Sequence, residues 1–167
     1  MSTWFARVGL PLSPGEDAAL DAFLRSIVPA VPKAVDAVAS WPDAASYLRL
    51  REHDATWWDQ EEAEREVLWL HAAEQRSEAD LLQGVRDVTR AVGTEIRESA
   101  LAAATLAGVT DGALAHAATG MALLAAHQAA VAQMAGVGPD HWFIRKYALF
   151  AGGRWPLGYH AARFAIF

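Results

Sequence analysis

Cysteine is absent from this sequence, so no disulfide staples the fold, no thiol can act as a nucleophile, and the chain is expected in a reducing, cytoplasmic compartment. Lysine is scarce as well. Lys33 and Lys146 are the only two, the other cations are arginine, and alanine is abundant, a bias that points to GC-rich coding and a bacterial source. No basic segment followed by an apolar run opens the chain, so no signal peptide is expected. Nor is any stretch apolar over the roughly 20 residues that a bilayer span needs. The nearest, Leu101 to Met134, is rich in alanine and glycine and interrupted by Asp111, His116, His127 and Gln128; it reads as buried helix.

Motifs that would fix a reaction are also missing. Ser40, Ser46, Ser77 and Ser99 lie outside any G-x-S-x-G elbow. Ala151-Gly152-Gly153-Arg154 is glycine-rich but lacks the Lys and Ser/Thr of a phosphate loop. A helical di-metal site needs two Glu-x-x-His units plus further carboxylates, whereas this chain offers one reversed pair, His71 and Glu74, and a carboxylate pair, Glu95 and Glu98. His116 and His127 share a helix face but stand about 16 Å apart at ~1.5 Å per residue, too far to ligate one ion. No metal or cofactor is therefore expected, and catalysis is not the leading reading.

What the sequence does contain is enough apolar matter for a core. Hydrophobic residues make up 53% and charged residues 20% of 167 positions, which suits one domain over residues 1–167 burying roughly 68–70% of the surface its unfolded form exposes. The net charge of −6 argues against nucleic acid, whose phosphates select cationic surfaces. That charge is unevenly spread. Residues 52–66 hold Glu52, Asp54, Asp59, Glu61, Glu62, Glu64 and Glu66 against Arg65 alone, while nothing after Asp140 is acidic.

Periodicity predicts an α+β fold: a helical body of four to five helices over residues 15–135 and a small antiparallel sheet built from an N-terminal strand and a C-terminal hairpin. Residues 3–12 alternate, with Trp4, Ala6, Val8, Leu10 and Leu12 on one side. Ser13-Pro14-Gly15-Glu16 is a capping box that opens a helix over 15–28. Prolines then limit the chain to short helices, 33–39 and 43–52. A helix follows from Thr56 to about residue 76; Ser77 restarts one or lies inside a longer one, Gly93-Thr94 breaks or kinks it, and residues 95–135 form a tight hairpin of two alanine-rich helices. The β-formers Trp142, Phe143, Ile144, Tyr147, Leu149 and Phe150, the Gly152-Gly153 turn signal and the run Tyr159 to Phe167 predict a hairpin over 141–167. A helix over 140–151 capped by Gly152 is the rival reading.

Seven tryptophans exceed ordinary usage, and Trp is enriched where surfaces bind. Trp57 and Trp58 are adjacent, so they cannot both face inward from one helix start. Arg145, Arg154, Trp155, Tyr159 and His160 mix cations with aromatic faces, a composition suited to a small anionic or aromatic ligand or to a protein. Pairing of these cations with the acidic helix of the same chain is the structural alternative. The sequence thus points first to an acidic protein-interaction domain, of the inhibitor or immunity-protein kind, binding a basic partner through Glu61, Glu62, Glu64 and exposed aromatics. The second reading is a small-molecule binder or enzyme with a pocket between sheet and helices. The third is self-association.

Overall fold

The computed structural model describes residues 3–27, 32–51 and 55–167. Residues 28–31 and 52–54, and with them the expected helix ends at Val28 and Glu52 and the acid Asp54, lie outside the described residues. The fold is α+β with a helical body, as the periodicity predicts, in the order α1 (Pro14–Ser26), β1 (Ala34–Ala37), α2 (Trp41–Arg51), α3 (Thr56–Ala73), α4 (Glu78–Leu106), α5 (Gly112–Met134), α6 (Trp142–Ala151), β2 (Pro156–His160) and β3 (Arg163–Ile166). Six helices stand where four or five were expected among these residues, and the sheet is mixed: β1 runs parallel to the central strand β3, and β2 antiparallel to it.

The capping box is formed in full. Ser13 Oγ accepts from the Glu16 amide at 3.3 Å and the Glu16 carboxylate accepts from the Ser13 amide at 2.8 Å, satisfying two amides that a helix start leaves unbonded. Ser77 caps α4 in the same sense. Gly93 does not break that helix. It faces Leu123 of α5 with room for a methyl group, and Gly84 lies against the Met134 side chain, whose sulfur a Cβ there would crowd. Ile96, Ala100 and Ala104 bury against Ala115, Ala118, Ala122 and Ala125 in the expected tight hairpin.

Three segments differ from the periodicity. Residues 4–9 form successive turns rather than a strand, with the Ala6 amide bonded to Thr3 O and the Leu10 amide to Arg7 O. Trp4 and Phe5 are consecutive and both buried, which the expected half-buried strand, with one face in water, does not allow. The strand role passes to Ala34–Ala37, where a short helix was expected. Trp142–Ala151 is a helix, the rival reading, because Trp142, Phe143, Lys146, Leu149 and Phe150 bury at helical spacing and His141 Nδ1 caps the Phe143 amide at 3.2 Å. Gly152-Gly153 consequently ends a helix. The hairpin turns at Ala161-Ala162, both in the left-handed region at φ 48° and 65°.

The sheet separates two apolar clusters. Along β3 the side chains alternate: Ala165 and Phe167 join Phe5, Trp41, Trp155 and the α4–α5 interface, while Phe164 and Ile166 join Phe23, Trp57, Trp142 and Phe143. Burial on both faces explains why the sequence there reads as a continuous apolar run.

Candidate functional site

The residues singled out in the sequence do not converge on one surface. Arg154 is buried and donates to Glu16 Oε1 at 2.8 Å, to Arg7 O and Leu10 O at 2.6 Å, and to Pro11 O at 2.8 Å. Its guanidinium is spent on holding the N-terminal turns. Trp155 is fully buried among Phe5, Trp41 and Phe167, with its Nε1 3.3 Å from Met121 Sδ. It fills the space between sheet and helices where a ligand pocket lined by Arg154, Trp155, Tyr159 and His160 was expected. Tyr159 and His160 are half-buried on β2, and Tyr159 packs against the second cluster. Arg145 is tied to Asp140 of its own chain.

The acidic helix is engaged inward to a degree that composition conceals. Glu61 is buried and paired with the buried Lys146 of α6, whose ammonium also lies over the rings of Trp57 and Phe143. Glu64 Oε1 meets His141 Nε2 at 2.8 Å. Glu62 holds Arg65 within its own helix at 2.8 Å. Pairing between the C-terminal end and α3 is therefore real, but Lys146 and His141 make it and the arginines do not. Trp57 is buried edge-on to Trp142 and Phe164, while its neighbour Trp58 is 50% exposed.

Geometry assembles a different site. On α3, Trp57, Leu68 and Ala72 face the interior, yet Val67 and Leu70 are about 60% exposed and Trp69 is half-buried, so α3 is apolar on its outer side as well as its inner one. On α4, Leu81 is buried and the adjacent Leu82 is 43% exposed. Both outer faces turn toward one groove of about 810 Å³, walled by Trp69 and Leu70 on one side and Leu82 and Val85 on the other. Its floor is Leu124, His127 and Val131 of α5; Arg65 and Glu66 line one end.

His127 is the groove's one imidazole. Its Nε2 lies 2.6 Å from Thr89 Oγ1, and that hydroxyl donates to Val85 O at 3.1 Å. A hydroxyl has a single proton, so with it given to Val85 O the imidazole Nε2–H is the donor to Thr89. Burial lowers the His127 pKa from its ordinary value, because an apolar setting disfavours the charged ring. The groove therefore presents a neutral imidazole and apolar walls. Its surroundings are strongly charged: residues 59–87 contain nine acids and three arginines, a balance of −6 that equals the net charge of the whole chain.

A second groove, of about 800 Å³, runs past Trp4, Trp41, Leu106 and Phe167 and has no charged side chain in its lining. Its polar side chains are Ser40, Ser99 and the indoles of Trp4 and Trp41. Sequence reasoning missed Trp69, Leu70, Leu82, Val85, Leu124 and His127. The available signal was the contiguous run Val67-Leu68-Trp69-Leu70, which is longer than one buried helix face can absorb. No known protein-family model, curated protein or solved structure matches this chain.

Proposed function

We propose that this chain is an acidic protein-interaction domain that binds a basic protein partner, in the manner of an inhibitor or immunity protein, through the groove between α3, α4 and α5. One observation carries the reading: the entire net charge of −6 resides in residues 59–87, the stretch that supplies both apolar walls of the groove. Glu61 and Glu64 of this stretch turn inward to Lys146 and His141, and the seven other acids against three arginines leave an acidic excess beside the open apolar surface, which favours a partner of the opposite sign, with charge steering the encounter and apolar burial holding it. A second copy of the chain fits less well, because dimerisation here would bring two such acidic stretches together.

The test is site-specific photo-crosslinking in the native cell. A photoreactive phenylalanine analogue replaces Leu70 in the groove or Leu101, which is remote and equally exposed at 58% against 61%. The expected result is a basic protein crosslinked from position 70 and absent from position 101. Equal products from both positions, or an acidic partner at position 70, overturn the proposal.

A further inference from the structure

Resting on that reading of the groove, the inference concerns the form of the partner's docking element. Three helices surround the trough: α5 is the floor and packs closely on α4, α3 is the second wall, and α3 and α4 scarcely touch each other. The floor residues Leu124, His127 and Val131 recur at i, i+3 and i+7, and Leu82 with Val85, and Arg65, Glu66, Trp69 and Leu70, follow helical spacing on the walls. Such rows of side chains form the ridges and grooves into which another helix packs. A fourth helix laid lengthwise would have neighbours on three sides, the arrangement of a four-helix bundle.

The trough also disfavours other backbones. Its walls and floor are α-helices whose amides and carbonyls are bonded internally, so an inserted strand or loop would find no ladder for its own polar backbone groups. A helix brings its backbone already satisfied. The floor from Leu124 to Val131 is about 10 Å long at 1.5 Å per residue, or two helical turns. Charge sets the composition of the flanks. Arg65 and Glu66 both line the groove, and with Glu61 and Glu64 turned inward the other acids of residues 59–87 still number seven against three arginines, so a helix with apolar residues on its seated face and Lys or Arg beside them matches both features.

We propose that the partner element is a basic amphipathic α-helix, seated between α3 and α4 on the floor of α5, with apolar anchors at i, i+3 or i+4, and i+7. His127 lies beneath it, and its low affinity for a proton keeps a positive charge from forming under a cationic helix. The charged groups lining the trough around His127 are Arg65, which Glu62 holds, and Glu66, both from α3; the lining side chains of α4 are apolar.

The experiment uses the full chain and synthetic peptides of about 15 residues, long enough to form a helix once seated. Three basic peptides carry Leu, Phe or Trp anchors on one face. Three controls keep each composition with the anchors permuted around the helix, and three more replace Lys by Glu. Binding is followed by calorimetry, and helix gain by circular dichroism. At least one amphipathic basic peptide should bind with a Kd below about 1 mM and gain helicity. Leu70→Asp or Val85→Asp should weaken it about tenfold or more, and Leu101→Asp should leave it unchanged, each variant first matched to the parent in thermal unfolding.

Equal binding by permuted peptides, equal loss in Leu101→Asp, or no binding by any of the three overturns the helix. Binding of the Glu peptides as tightly as the Lys peptides overturns the basic partner. If peptides fail while position 70 still crosslinks a basic protein, the docking function stands and the helical mode falls. Peptide binding without a crosslinked partner is the reverse case: the groove takes a basic helix and the cellular function falls.

Discussion

At the scale of single residues, buried polar groups separate what stabilises this chain from what burdens it. Gln128 of α5 is completely buried, and neither atom of its amide has a hydrogen-bond partner among the described residues. A buried amide left unpaired costs roughly 1–3 kcal/mol. Gln128→Met keeps the shape and removes the polar atoms, so it should raise Tm by roughly 2 °C or more; a lower Tm in a thermal melt would mean that the amide is in fact paired. Two ionisable residues act in different pH windows. Glu16 lies between Arg154 and Arg7, which hold its carboxyl far below the usual carboxylate range. The native state therefore releases this proton more readily than the unfolded state does, and the contribution is present above about pH 4.5 and lost as pH falls below it. His127 is also depressed, by burial. The unfolded chain binds its proton more tightly, so stability falls as pH drops through about 6.5 and levels out below the folded pKa. Urea unfolding across pH should show Glu16→Gln flattening only the lower limb and His127→Asn only the upper; the reverse assignment would refute both. The acids themselves were legible as an excess in the sequence, but their direction was not. Glu61 and Glu64 meet Lys146 and His141 across 85 and 77 residues, a distance in sequence that composition cannot read.

At the scale of elements, helices announced by caps were legible and turns without turn residues were not. The Ser13–Glu16 box and Ser77 mark true helix starts because their chemistry is local. The C-terminal hairpin shows the opposite case. Its turn is Ala161-Ala162, whose side chains give no turn signal, whereas Gly152-Gly153 gives a strong one and caps α6. Both alanines adopt left-handed backbone, at a cost of roughly 1–2 kcal/mol each. The β2–β3 connection has the dihedral signs of a type I′ turn, for which Asn-Gly is the preferred pair. The double substitution A161N/A162G should therefore stabilise the protein by about 1–2 kcal/mol, read as a higher urea midpoint with an unchanged slope. A lower midpoint would show that the alanine methyl groups make contacts worth more than the strain. Aromatic β-formers misled in the same way at Trp142–Phe150, since β-propensity reports fit to a half-buried surface and those rings bury equally well at helical spacing. The groove was illegible for a related reason: Leu82 and Leu70 look like core residues until α4 and α3 are seen to leave a gap between them.

At the scale of the whole molecule, residues 3–11 and 151–155 are one structural unit. Thr3 Oγ1 donates to Ala151 O at 2.5 Å, the Arg7 amide to Gly153 O at 3.0 Å, and Arg154 gathers three carbonyls of residues 7–11 together with Glu16. Gly153 permits this closure. Its φ is 99°, and a Cβ there would stand 2.7 Å from Thr3 O. The turns so fastened place Phe5 against Trp155 and Phe150, which closes the first apolar cluster beneath the sheet. Arg154 is thus a structural keystone, although its charge and position made it look like a ligand group. Arg154→Met fills similar volume but leaves three carbonyls without their donor and Glu16 with Arg7 alone, and orphaning buried acceptors costs roughly 1–3 kcal/mol. The loss should appear as that drop in unfolding free energy together with faster amide exchange at Ala6, Arg7 and Leu10, while exchange along α4 and α5 follows global stability alone. Gly153→Ala should produce the same local exchange pattern with Arg154 intact, because it removes the approach and keeps the charge. If both variants instead weaken peptide binding at the groove without loosening residues 6–10, Arg154 acts on the docking surface and its assignment to the scaffold is wrong.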